Sequence, residues 1–170
     1  GCRVAGGYDF YNEDSDPMDD NGHGTHVAGI VAASGTVRGV APDALLYAYK
    51  VLGPTGAGQS SDSIAALERS VTDGVQVVNM SLGGAGSPGD PLLKAVATAV
   101  QQGVVVVAAA GNSGPGYETV DSPGSAVEAL TVGASDKSDV LSSSSSKGPV
   151  RGRGYLLKPD VVAPGVNINS

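Results

Sequence analysis

Tryptophan is absent from the 170 residues, phenylalanine occurs once and tyrosine six times, so any interior has to be built from aliphatic side chains. The single cysteine, Cys2, excludes an internal disulfide and leaves a cysteine-based zinc site short of ligands. No apolar run approaches the roughly 20 residues of a spanning helix, so no membrane partner is expected. Positive charge is scarce: 10 Lys and Arg stand against 17 Asp and Glu, a net charge of −7. That balance argues against a nucleic-acid partner and suits calcium or cationic substrates. Glycine is abundant instead, with 26 copies beside a 41% share of hydrophobic residues, which predicts one domain with a closely packed backbone. Gly1 opens no charged-then-apolar leader, so the expectation is a mature form or a piece of a longer chain.

Both histidines stand in Asp19-Asp20-Asn21-Gly22-His23-Gly24-Thr25-His26-Val27-Ala28-Gly29. Asn21, a short acceptor before a small-residue run, is expected to cap a helix whose first turn carries His23. An imidazole neutral near pH 7 on a rigid element is what a general base requires. Two plainer readings compete: a packed structural histidine, and a metal pair. The second lacks a third ligand at helix-compatible spacing.

Ahead of this run, Glu13, Asp14, Asp16, Asp19 and Asp20 crowd a loop around Pro17 and repel one another unless solvent or a cation neutralises them. Calcium and a solvated acidic loop are both open, and the EF-hand spacing is not met. Residues 3–5 have strand character before the glycines that follow. Leu45 to Val51 reads as a buried strand, followed by the loop Gly53 to Gln59 and a helix capped by Ser60 or Ser61 and stopped by Gly74. Val75 to Met80 is a strand running into Ser81-Leu82-Gly83-Gly84. Asp90 and Pro91 open a helix with Leu92, Leu93, Val96 and Val100 inward and Gly103 as its stop. Val104 to Ala110 is so apolar that burial on both faces is expected. Ala129 to Ala134 and a last short strand bracketed by prolines within Lys158 to Val166 complete the strands. Ser142 to Ser146 reads as a low-complexity loop, open to being an insertion or join.

Strand and helix alternating at this rhythm predict an α/β fold with a mostly parallel, doubly wound sheet. Ligands in such folds bind beyond the carboxyl ends of the strands, where Gly53 to Gln59, Ser81 to Gly84 and Gly111-Asn112-Ser113-Gly114 lie.

The H-G-T-H run from His23 to His26 resembles the histidine motif of the subtilisin-like serine proteases, and the resemblance extends in matching order from Arg3 to Ser170. It implies the three-layer subtilisin-type fold, incomplete in this chain. It assigns His23 as general base and His26 as structural. V-N-M-S-L-G-G (Val78 to Gly84) resembles the family's substrate-binding segment, so Ser81, Leu82 and Gly83 would pair with an extended peptide. Gly56, Ala57 and Gly58 would form the opposite wall, although a plain flexible loop explains the glycines too. Ala108 to Gly114 resembles the oxyanion segment, with Asn112 as donor; a turn-shaping asparagine is the alternative. No cofactor is required for the chemistry. A structural Ca2+ at Asp14, Asp16 and Asp19 is implied by some relatives, and secretion by the family.

Two motifs of that family have no counterpart in these residues: the strand V-A-V-I-D-T-G with the catalytic Asp, and G-T-S-M-A with the nucleophile. Ser81, Ser113, Ser122 and Ser170 all lack the flanking residues of the latter. The expectation is the central part of a serine endopeptidase catalytic domain, inactive by itself. The missing strand would lie between Leu45–Val51 and Val75–Met80, so exposed edges would invite self-association or a complementing chain. A non-catalytic peptide-binding module and an inert fragment are the rival readings.

Overall fold

The computed structural model describes residues 4–87, 89–152 and 154–170, which leaves Cys2 and Arg3 outside the described residues. The chain forms two compact units, residues 1–69 with 169–170, and residues 70–168.

In the first unit, strand β1 (Val4–Asp9) pairs in parallel with β2 (Leu46–Lys50), from Gly6 opposite Tyr47 to Asp9 opposite Lys50. The sequence suggested that the glycines end β1, but they continue it. A Cβ on Gly6 would stand 2.8 Å from the Tyr47 ring, and one on Gly7 would meet the backbone of Ala48. Close strand approach is what glycine permits here. At the carboxyl end, the Lys50 ammonium lies 2.9 Å from Asp9 Oδ2 and 3.0 Å from Asp20 Oδ2. Burial would push the Asp9 carboxyl up, but donors from Asn12 and Lys50 hold it below its ordinary value. β2 is not the buried strand expected, since Tyr47 is 41% exposed and the preceding Leu45 72%.

Helix α1 (His23–Ala32) follows the acidic loop. A Cβ on Gly39 would stand 2.6 Å from the backbone nitrogens of Ala32 and Ala33, so the segment after the helix folds directly onto its end. Helix α2 (Ser60–Thr72) begins at Ser60 itself, so neither serine caps it from outside. The carbonyl of Gln59 accepts from the N–H groups of Asp62 and Ser63 instead. Gly74, at φ +73°, follows its end as expected.

In the second unit, β3 (Val77–Met80), β4 (Val105–Ala109), β5 (Leu130–Ser135) and β6 (Val161–Pro164) form one sheet in that order, every pair parallel. Helix α3 (Pro91–Gln101) links β3 to β4. Its start is the one read from sequence: Asp90 Oδ1 accepts from Leu92 N–H at 2.9 Å, with Pro91 in the first turn. Leu92, Leu93, Val96 and Ala99 are buried, and Gly103 at φ +91° lets the chain turn into β4.

β4 departs from expectation. Val106 and Ala108 are each 1% exposed while Val105 is 51% exposed, so only one face is packed. The register puts Val77, Val105, Leu130 and Val161 on the same open face. A continuous apolar run therefore hid a two-sided strand.

The architecture is α/β, with parallel pairing between all the named strands of a two-stranded and a four-stranded sheet.

Candidate functional site

The candidate residues fall into two groups, one in each unit. In the first, the helix that carries the histidines is held at its start by Asp19. Asn21 is not the cap: that position is Gly22, at φ +99°, where a residue without Cβ is needed, and no side-chain cap bond forms there. The Asp19 carboxylate does the capping from further out. It accepts from the N–H groups of Asn21 and Gly22 at 3.0 and 2.9 Å, and from the N–H and hydroxyl of Thr25, both at 2.7 Å. The Thr25 hydroxyl, with the Gly22 N–H next, holds the Asp19 carboxyl far below the usual carboxylate range. Asn21 braces the start instead: its Nδ2 donates to Pro54 O at 2.9 Å and its Oδ1 accepts from His23 N–H at 3.3 Å.

His23 is thus the first residue of α1, and both histidines are exposed, which removes the buried-histidine reading. His26 N–H donates to Gly22 O at 3.1 Å, and Ser170 Oγ donates to His26 O at 2.9 Å, so residue 26 is tied at both backbone groups.

Around Asp14, Asp16 and Asp19, as elsewhere among the described residues, no three His, Cys, Asp or Glu side chains are grouped so as to hold a metal ion. Asp19 is committed to the helix start, and Asp14 Oδ1 accepts from Asp16 N–H at 2.8 Å. The same unit holds Gly56, Ala57 and Gly58 in an exposed loop closed by Gly53 N–H to Ala57 O at 2.9 Å. Gly56 has φ +77°, so its glycine is required by the turn. Gly58 needs one because a Cβ there would meet the carbonyl of Val51.

In the second unit, β3 and β4 are adjacent and parallel, so the segments that leave their carboxyl ends emerge side by side. One is Ser81-Leu82-Gly83, followed by Gly84, whose backbone exchanges two hydrogen bonds with Ser122 at 3.0 and 2.9 Å. The other is Gly111 to Gly114, with Asn112 exposed. The serine tract fixes this second loop. Ser146 N–H donates to Gly111 O at 3.1 Å, Ser146 Oγ accepts from Ser113 N–H at 3.0 Å, and Gly114 N–H donates to Ser144 O at 3.0 Å. Ser145 Oγ accepts from Ala134 N–H at 3.0 Å, which anchors the tract to β5. Ser145 and Ser146 are 1% and 0% exposed, so the tract is a packed brace and not an inserted spacer.

Sequence reasoning passed over Asp121. Burial pushes its carboxyl up, while the backbone N–H of Asn112 donates to it and pulls the other way. It lies between the two loops, its Cβ 3.5 Å from where a Cβ on Gly83 would stand and its Oδ2 in the space that a Cβ on Gly111 would take. No local signal marks such an acid; only the fold brings it there.

The subtilase family model matches residues 2–170. The minor extracellular protease Vpr of Bacillus subtilis (strain 168) is 51% identical over 138 residues, 75% of this chain and 17% of that protein. Subtilisin Savinase of Lederbergia lenta is 43% identical over 171 residues, 99% of this chain and 60% of that protein. Among solved structures, a cold adapted subtilisin-like serine proteinase superposes with a TM-score of 0.81 at 37% identity, covering 96% of this chain and 56% of that one. The chain thus spans between 17% and 60% of the length of these relatives. With the H-G-T-H run opening α1 and the A-A-G-N-S-G run closing β4, the chain belongs to the subtilase family.

Proposed function

We propose that these residues are the central part of a secreted serine endopeptidase that hydrolyses peptide bonds in extended polypeptides by acyl transfer. A serine hydroxyl supplied from outside these 170 residues attacks the carbonyl carbon. His23 takes the hydroxyl proton and returns it to the leaving amine, which needs an exposed imidazole at a fixed helix start. The Asn112 side-chain N–H meets the oxygen that becomes negative as the tetrahedral intermediate forms. Extended polypeptide runs along Ser81–Gly83 as an added strand.

The observation that carries this reading is the pair of family segments, each set on the element its chemistry needs: His23 at the first position of α1, and Asn112 in the loop directly after β4. Secretion is supported by the name of one relative, the minor extracellular protease Vpr. The isolated 170 residues, without nucleophile or orienting carboxylate, retain only the residual catalysis of binding and oxyanion stabilisation. No calcium is needed for any step.

A fluorophosphonate probe tests the proposal. The longer protein that contains these residues is labelled and cleaves unfolded polypeptide, and His23→Ala abolishes both. Labelling of the isolated chain, or cleavage that survives His23→Ala, contradicts it.

A further inference from the structure

We propose that Ser170 is a positioning residue for the general base: through the carbonyl of His26 it fixes the setting of α1, and with it the place of the His23 imidazole. This rests on the role given to His23 above and names the group that holds that residue in register.

The first argument is how little packing holds the helix. A helix is normally set by the face it buries, but of the ten residues of α1 only Ala32 is buried. Polar and close backbone contacts take over. Asp19 and Asn21 hold the start, Asn21 by its bond to Pro54 O, and Gly39 closes against the backbone of Ala32 and Ala33 at the other end. Ties at two ends resist sliding along the axis more than rolling about it. Ser170 supplies the tie on the side: its Oγ donates to His26 O at 2.9 Å, across 144 residues of sequence. His26 stands one turn from His23, so a roll of the helix at one displaces the other.

The second argument is the glycine at 29. It lies inside α1, where no left-handed backbone calls for it, and glycine within a helix is destabilising relative to alanine. A Cβ there would stand 3.0 Å from Ser170 Oγ and 3.1 Å from Ser170 Cβ. The missing Cβ therefore admits Ser170 to the side of the helix. Residues 26 and 29, three apart, form the one face that Ser170 meets.

A purely structural role is the competing account: Ser170 would stabilise the helix and do nothing for the imidazole. Gly29→Ala separates the two. Alanine stabilises the helix itself, while the added Cβ forces Ser170 to give by a few tenths of an ångström. Positioning predicts slower turnover without lost stability; a structural role predicts native turnover.

The test is steady-state kinetics and fluorophosphonate labelling of the longer protein that contains these residues, with melting temperatures measured beside them. Misplacing a reacting group by about 1 Å costs up to about 10²-fold, so Ser170→Ala is expected to lower kcat about tenfold with KM within about twofold. Ser170→Thr, which keeps the hydroxyl, holds kcat within about twofold of the native protein. Gly29→Ala lowers kcat about fivefold at a melting temperature no lower than the native one, and adds no further loss to Ser170→Gly. Labelling rates fall by the same factors. Native kcat in Ser170→Ala or Gly29→Ala, a loss confined to KM, a loss shared by Ser170→Thr, or losses that only follow the melting temperature overturn the proposal. An active native protein with unaffected variants removes the role of Ser170 alone, whereas a native protein that neither labels nor cleaves removes the peptidase reading and this role with it.

Discussion

The backbone N–H of Ser113 donates to the hydroxyl of Ser146 at 3.0 Å, across 33 residues of sequence. This one bond joins the loop that carries Asn112 to a tract whose composition gives no hint of a partner. Ser146 is fully buried while Ser113 is exposed, so Ser146→Ala removes the acceptor of a partly buried bond. The expected cost is about 0.5–1.5 kcal/mol, read as a lower urea midpoint. Amide exchange at Ser113 accelerates in the same variant. An unchanged midpoint and unchanged exchange would show that the tract is not a brace.

Asp19→Ala removes four accepted bonds at the start of α1. By the usual worth of a capping side chain the loss is about 1 kcal/mol. The pH dependence follows from the lowered carboxyl. A group whose folded pKa is depressed contributes stability above its unfolded value, near 4, and loses it as pH falls toward the folded value. Thermal unfolding from pH 7 downward should therefore show the native protein losing its advantage over Asp19→Ala below about pH 4. Parallel curves across that range would refute this role for Asp19.

Ser122 Oγ is buried and has no hydrogen-bond partner among the described residues. Ser122→Ala removes an unsatisfied hydroxyl and keeps the backbone bridge to Gly84, so stability stays the same or rises. Calorimetry that shows a melting temperature lowered by several degrees would mean that the hydroxyl has a stabilising role.

Features set by neighbouring residues were legible in the sequence. Asp90, Pro91 and Gly103 announce α3 because cap, first turn and stop are each local chemistry. Features set by distant residues were not. The Asp19 cap was missed because its acceptor lies outside the usual cap position and reaches Thr25 six residues on. The open face of β4 was hidden by a run of valines that fits one-sided and two-sided burial equally well. Asp121 gains its setting only where β4 brings Gly111 against it and the β3 segment brings Gly83. Composition around it is that of any turn.

The central proposal is that Asn112 stabilises an oxyanion, and steady-state kinetics of Asn112→Ala in the longer protein that contains these residues, on one peptide substrate, test it most directly. The account predicts a fall in kcat of about 10²–10³, the size already known for this type of donor in a subtilisin, with KM within about twofold. An unchanged kcat, or a loss confined to KM, would contradict it.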